Sequence, residues 1–341
     1  MTLQHSSPIG RSQPRRLRIF MLLSTICIVG VVVNTHWGSQ RPVADPHDFR
    51  KASRRASTVT PVASAFNNEI LQVAATEPTE PTEPTSATQP LDVDVQKDPQ
   101  QLALQTALNL LENGRERLKS INHYTATFIK QERVGDELTE GDVTEIKVRH
   151  EPFSVYMKWV ETDAGQEMLY ADGVNDGNIL LKQVGWKSRL LPVISLDPHC
   201  VLAMSQSRYP VTQMGLLRLV ETLITDRQND LEKNTDLKCQ LFDDEVCHER
   251  PCYRFILEYG SPQVSATYRK SDLFIDKELS VPIQIANFTW PESDWGADWG
   301  CEEMDDETLI EYYGYCDLAL GTPLSDLDFD RSNEEYGFQN D

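Results

Sequence analysis

A chain of 341 residues carrying 53 acidic against 32 basic side chains, with a formal net charge of -21, is too acidic to bind nucleic acid through a basic face. The same balance disfavours anionic lipid headgroups, except through the basic first residues. Length alone admits two domains, but apolar periodicity begins only near Gln101, so one core of roughly 240 residues is expected.

Arg11, Arg15, Arg16 and Arg18 precede an apolar or small run from Ile19 to Val33, the pattern of an export signal. About fifteen apolar residues is short for a spanning helix, which favours a cleaved leader. Yet no small-x-small site follows Val33, and Trp37 suits a membrane interface, so an uncleaved inner-membrane anchor through residues 19–33 is an equal expectation. Cys27, behind Thr25 and Ile26, is a poor setting for a lipid-modified cysteine. The charge bias places everything after Trp37 outside the cytoplasm, on the periplasmic side of a cell envelope. Residues 1–37 are thus an export signal or anchor, and 38–98 a disordered linker in which Thr76-Glu77-Pro78 repeats twice more. Extended at about 3.1 Å per residue, that linker reaches beyond 100 Å.

Residues 99–341 carry the fold. Asp98-Pro99 is an N-cap and first-turn proline, and Leu104, Ala107, Leu108 and Leu111 recur at helical spacing, so a helix is expected to about Ser120, weakened by Gly114. The period then falls to two. Tyr124, Ala126 and Phe128 oppose Thr125, Thr127 and Ile129; after a turn at 134–137, Thr144, Ile146, Val148 and His150 oppose Glu145, Lys147 and Arg149. Glu151-Pro152 leads into Phe153, Val155, Met157 and Trp159, which share one face. Strands are expected at 166–171, 178–183 and 186–191, with hairpin turns at Asp172-Gly173 and Asn175-Asp176-Gly177. Leu196–Pro210 reads as loop and Val211 to about Leu231 as a second amphipathic helix. Further strands are expected at 237–242, 253–259, 264–268, 273–276, 282–290 and 308–320. This order predicts an α+β fold, a curved antiparallel sheet of about 11 strands with helices over one face.

No nucleotide-binding, zincin or nucleophile-elbow motif occurs, and no cofactor is expected. His123, His150, His199 and His248 are scattered one per segment, which fits structural roles better than a ligand set. The acidic run Glu292, Asp294, Asp298, Glu302, Glu303, Asp305, Asp306 and Glu307 lacks the calcium-loop spacing and reads as a solvated loop. Apart from Cys27 there are Cys200, Cys239, Cys247, Cys252, Cys301 and Cys316. An even number in an exported chain suggests disulfides, and Cys247 with Cys252, bracketing a hairpin, is the foremost candidate pair. Zinc held by Cys247, His248 and Cys252 is the competing expectation.

Tyr124, Phe128, Phe153, Val155, Met157 and Trp159 are either plain core or the lining of a cavity, and they are the candidate ligand-binding residues. A fourteen-carbon acyl chain buried there gains on the order of 10 kcal/mol gross, before ordering costs. Such a site needs little polar recognition.

Tyr124 to Arg133, Glu151-Pro152-Phe153 to Trp159, Asp276-Lys277-Glu278-Leu279-Ser280-Val281-Pro282, Asp328-Phe329-Asp330 and Glu335-Tyr336-Gly337-Phe338 together resemble the planctomycete family called domain of unknown function 1571. The resemblance runs from about Leu104 to the end. At one remove, Thr125-Ala126-Thr127-Phe128, the Asp172-Gly173 turn, and Asp276-Lys277 followed by Leu279 and Pro282 are similar to the bacterial lipoprotein-carrier (outer-membrane lipoprotein sorting) superfamily. That resemblance implies an unclosed half-barrel whose concave apolar face, lidded by helices, receives acyl chains; related modules sense envelope stress. The expectation is therefore an exported protein that binds lipid or lipoprotein acyl chains, or alternatively an envelope sensor with a protein partner. An enzyme is the weakest class.

Overall fold

A computed structural model describes residues 98–185, 193–233, 236–292 and 300–338. The leader at 19–33, Cys27, the linker as far as residue 97 and the strand expected at 186–191 lie outside the described residues. In chain order the elements are α1 (Pro99–Lys119), β1 (His123–Val134), β2 (Glu137–Leu138), β3 (Asp142–Arg149), β4 (Ser154–Trp159), β5 (Glu167–Ala171), β6 (Ile179–Lys182) and β7 (Val193–Leu196). They continue with α2 (Val201–Met204), α3 (Leu216–Lys233), β8 (Leu237–Cys247), β9 (Arg250–Tyr259), β10 (Lys270–Asp276), β11 (Pro282–Phe288), α4 (Cys301–Thr308) and β12 (Leu309–Leu320).

The opening helix follows its sequence signals. The Asp98 carboxylate accepts from the Gln100 amide at 3.1 Å, Pro99 occupies the first turn, and Arg117 and Lys119 sit in the last turn, where cations oppose the helix dipole. Its buried stripe is Ala103, Leu104, Ala107, Leu108, Leu111, Gly114 and Leu118. Gly114 proves to be a packing requirement: a Cβ there would lie 2.1 Å from the Ser280 carbonyl oxygen, so glycine is what lets α1 touch the turn before β11.

Twelve strands form one antiparallel sheet in the order β7-β6-β5-β4-β3-β1-β12-β11-β10-β9-β8, with β2 pairing β1 off this path. Two meanders meet where β12 returns to lie beside β1, and the outermost strands β7 and β8 are not paired to each other, so the half-barrel is open. One face carries the main core, in which α1 and α3 pack on Tyr124, Phe128, Ile146, Val155, Met157, Phe255 and Ile285, among others. The opposite face is also covered. Ile129, Val143, Ala286, Phe288, Leu309 and Tyr312 cluster there, and Tyr156, Leu169 and Leu180 are sealed by Phe329, Tyr336 and Phe338 of the carboxy-terminal segment.

Several local expectations are corrected. Residues 264–268 alternate in polarity yet form no strand; the chain turns, and the Trp290 indole donates to the Ser265 carbonyl at 2.8 Å. The second helix starts at Leu216, because Gly215 adopts φ +108° after a single helical turn at Val211–Gln213. The stretch read as loop at 196–210 contains α2, and part of the acidic run is helical: Asp305 on α4 is paired with Arg269 at 2.5 Å and Lys270 at 2.7 Å. The hairpin β8–β9 is longer than expected, closing on His248 and Glu249, both at positive φ.

Cys247 and Cys252 are not joined, which overturns the expected disulfide. The register explains this. Cys247 lies opposite Arg250 and Cys252 opposite Glu245, so the two thiols are diagonal, and diagonal neighbours stand about 7–8 Å apart, too far for a disulfide. Cys247 Sγ donates to Gln284 Oε1 at 3.3 Å and Cys252 Sγ to the Arg250 carbonyl at 3.3 Å. Among the described residues no three His, Cys, Asp or Glu side chains converge on a metal position, and the His248 ring meets Cys316 Sγ at 3.2 Å.

Candidate functional site

A cleft of about 1090 Å³ lies between the inner face of the sheet, one flank of α3 and the segment 196–215. Its floor is ordered by strand register. Met157 of β4 faces Met168 of β5, which faces Leu181 of β6, giving an apolar row. The next row, Trp159, Thr144, Phe128 and Tyr315, crosses β4, β3, β1 and β12. The row beyond reads Asp142, Lys130, Tyr313 and Ile285, and the last reads Glu132, Glu311 and Asn287. The floor therefore grades from greasy to charged across the sheet.

The charged end is a closed hydrogen-bond network. Glu132 and Glu311 are direct cross-strand neighbours, and both are buried. Glu311 accepts from Asn287 Nδ2 at 2.7 Å, Tyr268 Oη at 2.9 Å, Tyr209 Oη at 3.1 Å and Arg208 Nε at 3.2 Å. Glu132 accepts from Tyr313 Oη at 2.5 Å and from the Arg208 amide at 2.9 Å, with Lys130 Nζ at 3.5 Å. Burial, with the adjacent Glu311 charge, pushes the Tyr268 and Tyr313 phenols well above their ordinary value, so they stay protonated and act as donors. The network fastens the segment 196–215 to the floor: Arg208 and Tyr209 bind Glu311, and Lys130 Nζ donates to the Gln206 carbonyl at 3.1 Å. Its two carboxylates are occupied by amide, phenol and guanidinium donors, which hold the structure in place.

Two other carboxylates line the cleft. Asp142 has its pKa raised by burial, against the pull of Lys130 and the Trp159 indole. Asp226 on α3 is raised by burial as well, opposed mainly by Arg227.

Of the six candidate ligand residues, Phe128, Met157 and Trp159 line the cleft. Tyr124, Phe153 and Val155, further along the same strands, lie in the packed core. Tyr124 is fully enclosed and its hydroxyl accepts from the Leu216 amide at 3.0 Å, closing the start of α3 onto β1. Phe153 packs against Tyr170 with ring centroids 6.0 Å apart. Among the lining residues that sequence reading missed are Lys130, Glu132, Glu311 and Tyr313. The signal was present: Lys130 and Glu132 continue the inward phase of Tyr124, Ala126 and Phe128, and a charge on the inward phase of a central strand marks a special environment.

These features define a class, an α+β open half-barrel that holds a cleft between its inner face and a helical cover. The chain belongs to the family described as protein of unknown function DUF1571, whose profile matches residues 121–338. No curated protein matches the sequence. Among solved structures it is similar to a chain of the Pseudomonas aeruginosa MucA/MucB complex, at 14% identity and a TM-score of 0.36 over 66% of this chain and 60% of that one. It is similar also to the Mycobacterium tuberculosis lipoprotein LppX, at 11% identity and a TM-score of 0.37 over 66% of this chain and 99% of that one. A putative outer membrane lipoprotein-sorting protein domain from Vibrio parahaemolyticus matches at 11% identity and a TM-score of 0.29, over 67% of this chain and 97% of that one. The chain thus spans about three fifths of the MucA/MucB-complex chain it matches.

Proposed function

We propose that this is an exported envelope protein, tethered or released on the periplasmic side, that takes up the acyl chains of a lipid or lipoprotein in the cleft. The observation that carries the reading is the cleft of about 1090 Å³ over Phe128, Trp159, Met157, Met168 and Leu181, a space the protein's own side chains leave open. It is as large as the larger small-molecule pockets. Each methylene placed there contributes about 0.8 kcal/mol gross, so a long chain binds without any catalytic or ionic machinery. Methionine suits such a floor, because its flexible thioether adapts to chains of different shape. The protein is a binder in this reading, not an enzyme.

Native mass spectrometry of the full chain, extracted from its own envelope without added lipid, is expected to show a bound amphiphile that is lost on denaturation. A ligand-free preparation that also fails to bind a fluorescent fatty-acid probe overturns the reading.

One observation favours a second reading, an interaction module with an envelope protein partner. On α2, at the rim of the cleft, Val201 is 88% exposed and Leu202 is 59% exposed. Crosslinking from position 201 in cells separates the two: a sensor captures one stoichiometric protein, a carrier captures many lipoproteins or lipid alone.

A further inference from the structure

We infer that the occupant of the cleft is a cationic amphiphile, an ammonium head carried on a long acyl or alkyl chain; this rests on the reading of the cleft as an acyl-chain site. The argument is the segregation of the lining. Met157, Met168, Ile179 and Leu181 occupy β4, β5 and β6, at one side of the floor, and offer nothing to a head group. The polar side, on β3, β1, β12, α3 and the turn between β4 and β5, is anionic. Among the described residues the cleft is lined by the carboxylates Glu132, Asp142, Asp163, Glu221, Asp226 and Glu311.

The cations there are fewer and already engaged. Lys130 lies 3.5 Å from Glu132 and 3.8 Å from Asp142, Arg218 is 3.3 Å from Glu221, and Arg208, beside the cleft, is held by Glu311. Six lining carboxylates against two lining cations, with Arg208 and Arg227 behind them, leave a cavity wall with net negative charge, partly withdrawn from water. Asp142 feels Lys130, Asp163 and Glu132 around it; Asp226 feels Arg227, Asp230, Glu311 and Lys233. In both cases burial resists ionisation, and an ammonium group arriving beside either carboxylate relieves that cost while a sulfate or phosphate head adds to it. The indole of Trp159, next to Asp142, supplies an aromatic surface of the kind that attracts ammonium groups. The chain end then runs from Trp159 toward Leu181, where the floor is apolar.

The test compares three amphiphiles of equal tail, dodecyltrimethylammonium, dodecyl maltoside and dodecyl sulfate, binding the full chain below their micelle concentrations. An ionic strength of about 0.15 M suppresses attraction to the acidic surface at large. The ammonium probe is expected to bind about tenfold tighter than the maltoside and the sulfate more weakly than either, as complementary charge in a partly desolvated site requires. Asp142→Asn and Asp226→Asn each reduce the ratio of ammonium to maltoside affinity about threefold or more, whereas the exposed pair Glu302→Gln and Glu303→Gln on α4 leaves that ratio unchanged. Glu221→Gln, on the solvated flank of α3, serves the same purpose if either aspartate variant unfolds. Equal binding of the three probes, or a preference that the α4 pair reduces as much as the cleft variants do, overturns the head-group inference and leaves the acyl-chain reading standing. Failure of all three probes to bind overturns the acyl-chain reading itself.

Discussion

The ring of Tyr336 lies flat on that of Tyr156, with centroids 3.9 Å apart and planes 7° from parallel. Around this stack, Lys147 Nζ meets Asp328 at 2.7 Å, the Gly337 amide donates to Glu167 at 3.0 Å, and Phe338 is fully buried. The carboxy-terminal segment is thus a structural layer on the outer face of β4, β5 and β6. Tyr336→Ala removes an aromatic from this cluster and is expected to cost about 3 kcal/mol, since it forfeits both buried area and the stack. Chemical denaturation of the variant measures this; a loss well under about 1 kcal/mol would mean the segment is dispensable.

Gly114→Ala tests the contact between α1 and the turn at Ser280. In an exposed helix interior, alanine gains about 1 kcal/mol over glycine. Here the new methyl would sit 2.1 Å from a backbone oxygen that cannot rotate away, so the helix must shift and the balance reverses. Net destabilisation of about 1–3 kcal/mol is expected, read as a lower denaturation midpoint.

Glu311→Ala strips the acceptor from Asn287, Tyr268, Tyr209 and Arg208 at once. Leaving these donors and the half-buried guanidinium unpaired is expected to cost about 3–5 kcal/mol. Because two of the four belong to the segment 196–215, limited proteolysis should cut first between residues 205 and 213. Unchanged cleavage in that segment would show that its fastening lies elsewhere.

Acid should destabilise the fold through His248. Burial lowers its pKa to about 4, against the opposing pull of Asp317, and burial lowers that of His150 in the same direction. Both rings are neutral in the native state and take a proton more readily once unfolded. Their contribution is therefore complete above about pH 6.5 and is lost as pH falls from there, for His248 through its native value of about 4, amounting to roughly 3 kcal/mol. His248→Asn, which tolerates the positive φ at this turn, should flatten the pH dependence of the melting temperature over that window.

The thiols give a direct check on the absence of a bridge. Burial raises Cys239, Cys252 and Cys316 to about 12 and raises Cys247 further, so none is a thiolate near neutrality. Without any reductant, a maleimide probe is expected to modify exposed Cys301 first and half-buried Cys200 next. The remaining four react only on unfolding, for a total of six among the described residues. A count that rises only after reduction would contradict the structure.

How far the fold was legible depended on whether the signal was local. Asp98 and Pro99 announce α1, and Gly173, Asn175, Asp176 and Gly177 all adopt the positive φ their turn chemistry suggests. The alternation of β1, β3 and β4 placed Phe128, Met157 and Trp159 on one face, but it could not say where along the strands the helices stop covering them. Tyr124 and Val155 share that phase and are fully buried in the core, while Trp159 is only partly buried and lines the cleft. The β12–β1 pairing joins residues nearly two hundred positions apart, so Glu311 beside Glu132 was invisible to any local pattern. Residues 264–268 failed for the opposite reason, because alternation in a short polar stretch carries no information about a partner strand.

Double-sided covering has a mechanical corollary. The strands beneath the apolar half of the cleft are gripped from behind by Phe329, Tyr336 and Phe338, which makes that half a rigid mould. On the proposed acyl-chain reading, admission and release of a guest are expected on the opposite side, by lifting the strap that Arg208 and Tyr209 pin to Glu311. On that reading the rate of exchange is set by a polar clasp, not by the apolar floor that holds the guest's tail.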